Sequence, residues 1–139
     1  MLVETLETAA QWSALLRAHR EVTGAISSAL SQQGTPGIVM CHVSHVYETG
    51  ASLYFTLIAR QREGEELTQW RAVKRAATDA IVRAGATITH HHAVGRDHRP
   101  WMASEVGEGG IRALRALKLE LDPAGIMNPG KLLPDLPTG

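Results

Sequence analysis

Ile38-Val39-Met40-Cys41-His42-Val43-Ser44-His45-Val46-Tyr47-Glu48-Thr49-Gly50-Ala51-Ser52-Leu53-Tyr54-Phe55-Thr56-Leu57-Ile58-Ala59-Arg60 reads as two strands joined by a turn. The first run, Ile38 to Val46, is rich in Val and Ile, which fit a pleated and half-buried surface. Glu48-Thr49-Gly50 supplies the turn, and Ala51 to Arg60 is the return strand. Side chains alternate across a strand. Val39, Cys41 and Val43 therefore share one side with the apolar set Leu53, Phe55 and Leu57. The other side carries His42, Ser44, Tyr54 and Thr56.

Helical and strand patterns flank this hairpin. Leu2 to Glu7 alternates weakly, as a short strand does. Trp12, Leu15, Leu16, His19, Val22, Ile26, Ala29 and Leu30 recur at steps of three and four, the stripe of a long amphipathic helix. Gly34-Thr35-Pro36-Gly37 stops it. After the hairpin, Leu67, Trp70, Val73, Ala77, Ile81 and Ala84 mark a second helix from about Glu65 to Ala84, with Gly85 as its left-handed cap. Ala86 to His90 is a short β-like run. Ile111, Leu114, Leu117 and Leu121 mark a third helix, which Asp122-Pro123 ends. Pro134 and Pro137 suggest a frayed tail. The order is β-α-β-β-α-β plus a helix and a tail. It predicts an α+β, ferredoxin-like antiparallel sheet with helices on one face, strands one and three central, and a single domain over 1–139.

The 139 residues suffice for one two-layer core. With 14 basic and 14 acidic side chains the formal charge is zero, so no net field draws in nucleic acid. Aromatic content of 4% also lacks the stacking platform of RNA binders. Cys41 is alone and cannot pair within the chain, which fits a reducing, cytoplasmic setting. Glu4 and Glu7 interrupt the start, against a signal peptide, and no long apolar run suggests a membrane span.

The chemistry concentrates in 7 histidines, three of them consecutive at His90, His91 and His92. Imidazole works as acid, base, metal ligand or hydrogen-bond donor near neutral pH. Three neighbours alternate along a strand, so they share one target only where the strand ends and bends. A zinc reading would draw on His42, His45 or His98, but no paired metal-ligand motif and no obvious carboxylate set support it. Tyr47 follows Ser44-His45-Val46, and a phenol becomes a useful acid or base when neighbours stabilise one protonation state. Arg96 and Arg99 flank His98 in a loop that could hold an anionic group, although such a loop is more often simply solvated. Trp12, Trp70 and Trp101 read as core or interface, and Cys41 as an inert strand residue. An ordinary solvated sheet face remains the alternative to a functional one.

Three segments carry a resemblance. His90-His91-His92-Ala93-Val94-Gly95-Arg96-Asp97-His98 is similar to the triple-histidine loop of alkyldihydroxyacetonephosphate synthases, flavoenzymes of the vanillyl-alcohol oxidase type. The segment Cys41 to Phe55 resembles the one that holds their catalytic tyrosine. Leu121 to Leu132 resembles the C-terminal signature of FAD-linked oxidases more widely. The resemblance implies the C-terminal half of a cap, or substrate, domain that lies over FAD, with a small-molecule or lipid substrate and a membrane-peripheral location. Such a synthase exchanges an acyl chain for a fatty alcohol with no net redox change. It implies that Tyr47 transfers the proton, with His90, His91 and His92 beside it. His91 and Asn128 are the implied cofactor contacts, and no metal is implied. The FAD-binding domain that precedes the cap in this family is not in this sequence, so the chain alone is expected to be inactive. The competing expectation is a self-contained module that binds a ligand or dimerises through its open sheet face. A homodimer is compatible with both.

Overall fold

In a computed structural model, residues 1–134 are described, so Pro137 lies outside the described residues. The chain divides into two compact units, Met1–His92 and a second that begins at Ala93.

The first unit holds β1 (Leu2–Gln11), α1 (Trp12–Gln32), β2 (Gly37–Val46), β3 (Gly50–Ala59) and α2 (Glu66–Arg83). The three strands form an antiparallel sheet in the order β1-β3-β2. The α+β class and the hairpin are as the alternation predicts. Leu6, Phe55 and Leu57 are fully buried against Val22, Ile26 and Leu30 of α1 and Val73, Ala77 and Ile81 of α2. The helical stripe is narrower than its sequence suggests. Trp12, Leu16 and Leu67 are exposed, because they fall at the edges of stripes whose centres meet the sheet.

The expected fourth strand is the main difference. Ala86 and Ile88 are buried, as a strand there requires. Thr87 N–H donates to the Ala9 carbonyl at 3.0 Å, and Thr8 Oγ1 donates to the Thr87 carbonyl. The segment thus runs along the outer edge of β1, where the fourth strand was expected. It bends from Ile88 onward instead of extending into a ladder. A two-residue connection leaves α2, so little chain remains to pair before the histidines turn.

Two glycines are required where they stand. Gly85 takes φ +69° at the end of α2, a left-handed conformation that Gly adopts freely. A Cβ on Gly50 would sit 2.1 Å from the Ala10 carbonyl oxygen, so the hairpin can close against β1 only with Gly there.

The second unit contains a 3-10 turn (Arg99–Trp101) and α3 (Met102–Leu121), broken at Gly107, where φ is 71°. Asp122 follows α3 and accepts from the N–H groups of Ile126 and Met127 at 3.1 and 3.0 Å. The Lys118 ammonium hydrogen-bonded to it holds its carboxyl below the usual range. Among the described residues no helix is long and apolar enough to cross a membrane.

Phe55→Ala should cost about 3–5 kcal/mol in urea unfolding, since it empties the centre of the core. Ile38→Ala, on a side chain 64% exposed, should stay within about 0.5 kcal/mol.

Candidate functional site

The open sheet face is built by register. Glu7 of β1 and His42 of β2 both lie opposite Tyr54 of the central β3. The pairing shifts between Val43 and Val46, a bulge that puts two residues where one would fit. Ser44 and His45 both therefore reach Ser52: Ser44 Oγ lies 2.6 Å from Ser52 Oγ, and His45 N–H donates to Ser52 Oγ at 2.9 Å. Ser44 Oγ also donates to Glu7 Oε1 at 3.1 Å. An ionised carboxylate only accepts, so the Ser44 proton points to Glu7 and the Ser52 proton to Ser44.

The bend after Ile88 folds the three histidines over the same carboxylate. His91 Nδ1 lies 2.8 Å from Glu7 Oε2, His90 Nδ1 3.4 Å from Oε1, and His92 Nε2 3.9 Å from Oε2. His45 Nδ1 is 3.6 Å from Oε1. The His91 N–H adds a contact to Oε2 at 3.4 Å. The Glu7 side chain has no solvent exposure. Burial pushes its carboxyl up, but hydrogen bonds from Ser44 and the His91 backbone, with the His91 and His90 rings, outweigh that and hold it below its ordinary value.

His90 turns its other nitrogen outward. Nε2 lies 3.0 Å from the Tyr47 hydroxyl. Tyr47 stands at the end of the hairpin and is 49% exposed. The His45 ring stacks near it, at 6.5 Å between centroids. His92 meets Tyr54 edge-on at 5.3 Å. A hollow of about 320 Å³ borders Tyr47, lined also by Ala9, Gln11 and Thr49.

The family model for the C-terminal domain of FAD-linked oxidases matches residues 1–132. The chain belongs to this family. Among the domain's relatives, the alkyldihydroxyacetonephosphate synthase of Trypanosoma brucei brucei is 35% identical over 135 residues, 97% of this chain and 22% of that protein. The synthase of Dictyostelium discoideum is 34% identical over 136 residues, again 22% of its length. A solved alkyldihydroxyacetonephosphate synthase superposes with a TM-score of 0.62 at 27% identity, over 91% of this chain and 20% of that one. This FAD-linked oxidase domain thus spans about a fifth of the length of the relatives it matches.

Within the domain, Tyr47, His90, His91 and His92 come together as one cluster. His45 joins it, against His90 and His91, and the other expected residues do not. His42 is exposed on the same face. His98 is buried in the second unit, with Nδ1 3.3 Å from the Ala93 carbonyl. Arg99 Nη1 donates to the Gly130 carbonyl. Asn128 also lies in the second unit and borders a groove of about 810 Å³ with Leu117, Met127 and Lys131. Burial pushes the Cys41 thiol up to about 11, which keeps it an inert strand residue. Glu7 is the residue that sequence reasoning missed. Its signal was parity: it follows the inward Leu6 and so faces outward, beside the tyrosine and serine side of the hairpin.

The folded Glu7 carboxyl lies below its ordinary value of 4.5. Its contribution to stability is complete above that value and lost as pH falls through the folded one. Glu7→Gln should cost about 1–3 kcal/mol at neutral pH. It should also flatten the acid loss of stability below about pH 4.5, followed by urea unfolding across a pH series.

Proposed function

We propose that this chain provides the proton-transfer half of an FAD-dependent active site of the alkyldihydroxyacetonephosphate synthase type. It works with an FAD-binding domain on a small-molecule or lipid substrate. The carrying observation is the Tyr47 hydroxyl, 3.0 Å from His90 Nε2, in a chain 35% identical to such a synthase.

The donor set suits a flat aromatic cofactor. The His91 side chain is 53% exposed and Tyr47 is 49% exposed, so ring edges and polar atoms are open to a partner instead of sealed in the core. FAD, when bound, supplies the electron-accepting ring chemistry that no protein side chain offers. His91 is the proposed flavin-side contact in the cluster, and Asn128 keeps the cofactor contact that the resemblance assigns to it.

The chain's own part is a proton relay. Tyr47 holds a proton at its hydroxyl, within hydrogen-bond reach of the His90 imidazole. His90 can take that proton at Nε2 or return it. Glu7, ionised behind Nδ1, fixes the orientation of the ring, as a buried carboxylate does behind a catalytic histidine. His92, edge-on to Tyr54, closes the side of the cluster. The hollow beside Tyr47 is where a reacting group can approach the hydroxyl.

A second reading, a module that pairs through its open face, is favoured by Val3, Ile38 and Met40. They are 51%, 64% and 47% exposed and occupy the two strands that flank β3, at the far end of that face. Light scattering of the purified chain tests it, and a monomer at high concentration contradicts it.

The main reading is tested in a chimera in which this chain replaces the matching fifth of the Dictyostelium discoideum synthase. The chimera should bind flavin and turn over. Tyr47→Phe should leave flavin bound and lower kcat about 10²–10⁴-fold. An unchanged rate in a flavin-loaded Tyr47→Phe chimera refutes the relay. The isolated chain should show no tight flavin binding in a fluorescence titration.

A further inference from the structure

We propose that the apolar groove of the second unit, between the end of α3 and the loop that follows it, is the surface on which an FAD-binding domain docks. The proposal rests on the reading that this chain works with such a domain, and it is independent of the proton relay at Tyr47.

The second unit buries very little. Among its described residues only His98, Met102 and Ile111 are buried. Small units hold together through disulfides, a metal or a partner. Cys41, the single cysteine, lies in the first unit. Among the described residues no group of metal-ligating side chains falls in the second. A partner surface is what remains.

The groove is held in shape by its own backbone. Leu114, Leu117 and Leu121 recur at steps of three and four along α3 and share one stripe. The chain then turns back beside them. Asp122 accepts from the Ile126 and Met127 N–H groups, and the Lys118 ammonium reaches the Met127 carbonyl. Leu132 N–H donates to the Gly95 carbonyl at 2.9 Å. Asn128 and Leu132 take φ of 49° and 64°, left-handed values that persist in residues with side chains where the surroundings fix them. These bonds use polar groups of the loop internally, and apolar side chains are left open to solvent. Leu121 and Ile126 are each 74% exposed, Met127 60% and Leu117 56%. Leu117, Leu121 and Met127 line the groove of about 810 Å³ with Val94 and Leu132. Apolar surface gathered in this way marks an interaction site.

Three occupants differ in fit. An isologous pair of this chain sets one groove against another and leaves both unfilled. An anionic lipid surface recruits faces rich in Lys and Arg, whereas from Met102 to Pro134 acidic and basic side chains are equal in number. An FAD-binding domain meets both objections. The matching family model is that of a C-terminal domain, and the matched region is 22% of each of two synthases. Such relatives carry a larger body against which the groove can close. An apolar ridge of that body, seated between α3 and the loop, would bury the exposed leucines and Met127.

Oxidation of Met127 reads the groove directly. Dilute hydrogen peroxide converts an exposed thioether to the sulfoxide and spares a covered one. In the isolated full chain Met127 should oxidise at least about 10-fold faster than Met102, which is 4% exposed in the same unit. In the flavin-loaded chimera with the Dictyostelium discoideum synthase, Met127 should slow at least about 10-fold, read by mass spectrometry. Equally fast oxidation in that chimera overturns the proposal. Protection of Met127 in the isolated chain also overturns it. If protection comes as concentration rises, the occupant is a second copy. If it comes with vesicles of phosphatidylcholine and phosphatidylserine, the occupant is a lipid surface. Leu121→Asp together with Ile126→Asp, in the isolated chain, needs no chimera. Side chains reserved for docking lie outside the chain's own core, so Tm should stay within about 3 degrees, and a larger fall overturns the assignment. Relay and docking fail separately. An unchanged rate in the Tyr47→Phe chimera with Met127 still covered sinks only the relay, and an open Met127 in a chimera that turns over sinks only the docking.

Discussion

A carboxylate removed from water costs several kcal/mol unless its oxygens are met by donors, and Glu7 sits under that constraint. Its side chain has no solvent exposure, yet it stays ionised more readily than a free glutamate. The donors come from two places in the chain: the Ser44 hydroxyl in the β2 bulge and, beyond α2, the His91 N–H with the imidazoles of His90 and His91. None of these segments is held on the open face by apolar packing alone. The hairpin end and the histidine bend are ordered there because the carboxylate needs them, and Tyr47 inherits its position from both.

The two sheet faces divide the work. The inner face carries Leu6, Phe55 and Leu57 against two helices and supplies the hydrophobic stabilisation of the unit. The outer face carries the polar groups. Strand alternation lets one sequence serve both, and the bulge at Ser44–His45 breaks that alternation where the site needs two neighbours on one side. A family in which this domain makes up about a fifth of the protein can thus keep a packed core and an exposed chemical face in under a hundred residues.

Much of this was legible before any coordinates. Hairpin parity separated Phe55 from Tyr54, Gly85 marked the end of α2, and Asp122-Pro123 closed α3. The requirement that three consecutive histidines share a target only at a bend is met at Ile88 and beyond. What escaped the sequence was long-range. Glu7 looks like an interruption in an apolar strand, since nothing local announces that its partners lie 37 and 84 residues away. The fourth strand failed for a related reason. Ala86 and Ile88 have the right burial, but strand pattern does not reveal that the chain leaves the sheet edge to reach a carboxylate.

The separation of 84 residues between Glu7 and the His91 backbone also sets a clock. On a ribosome that adds about 5–20 residues per second, Glu7 emerges roughly 4–17 seconds before its last partners. During that interval β1 gains its hairpin partner β3 but not its histidines. The cluster is therefore the last part of the first unit to have all its residues synthesised. A nascent chain stalled before the histidines would hold a nearly complete hydrophobic layer and no site at all.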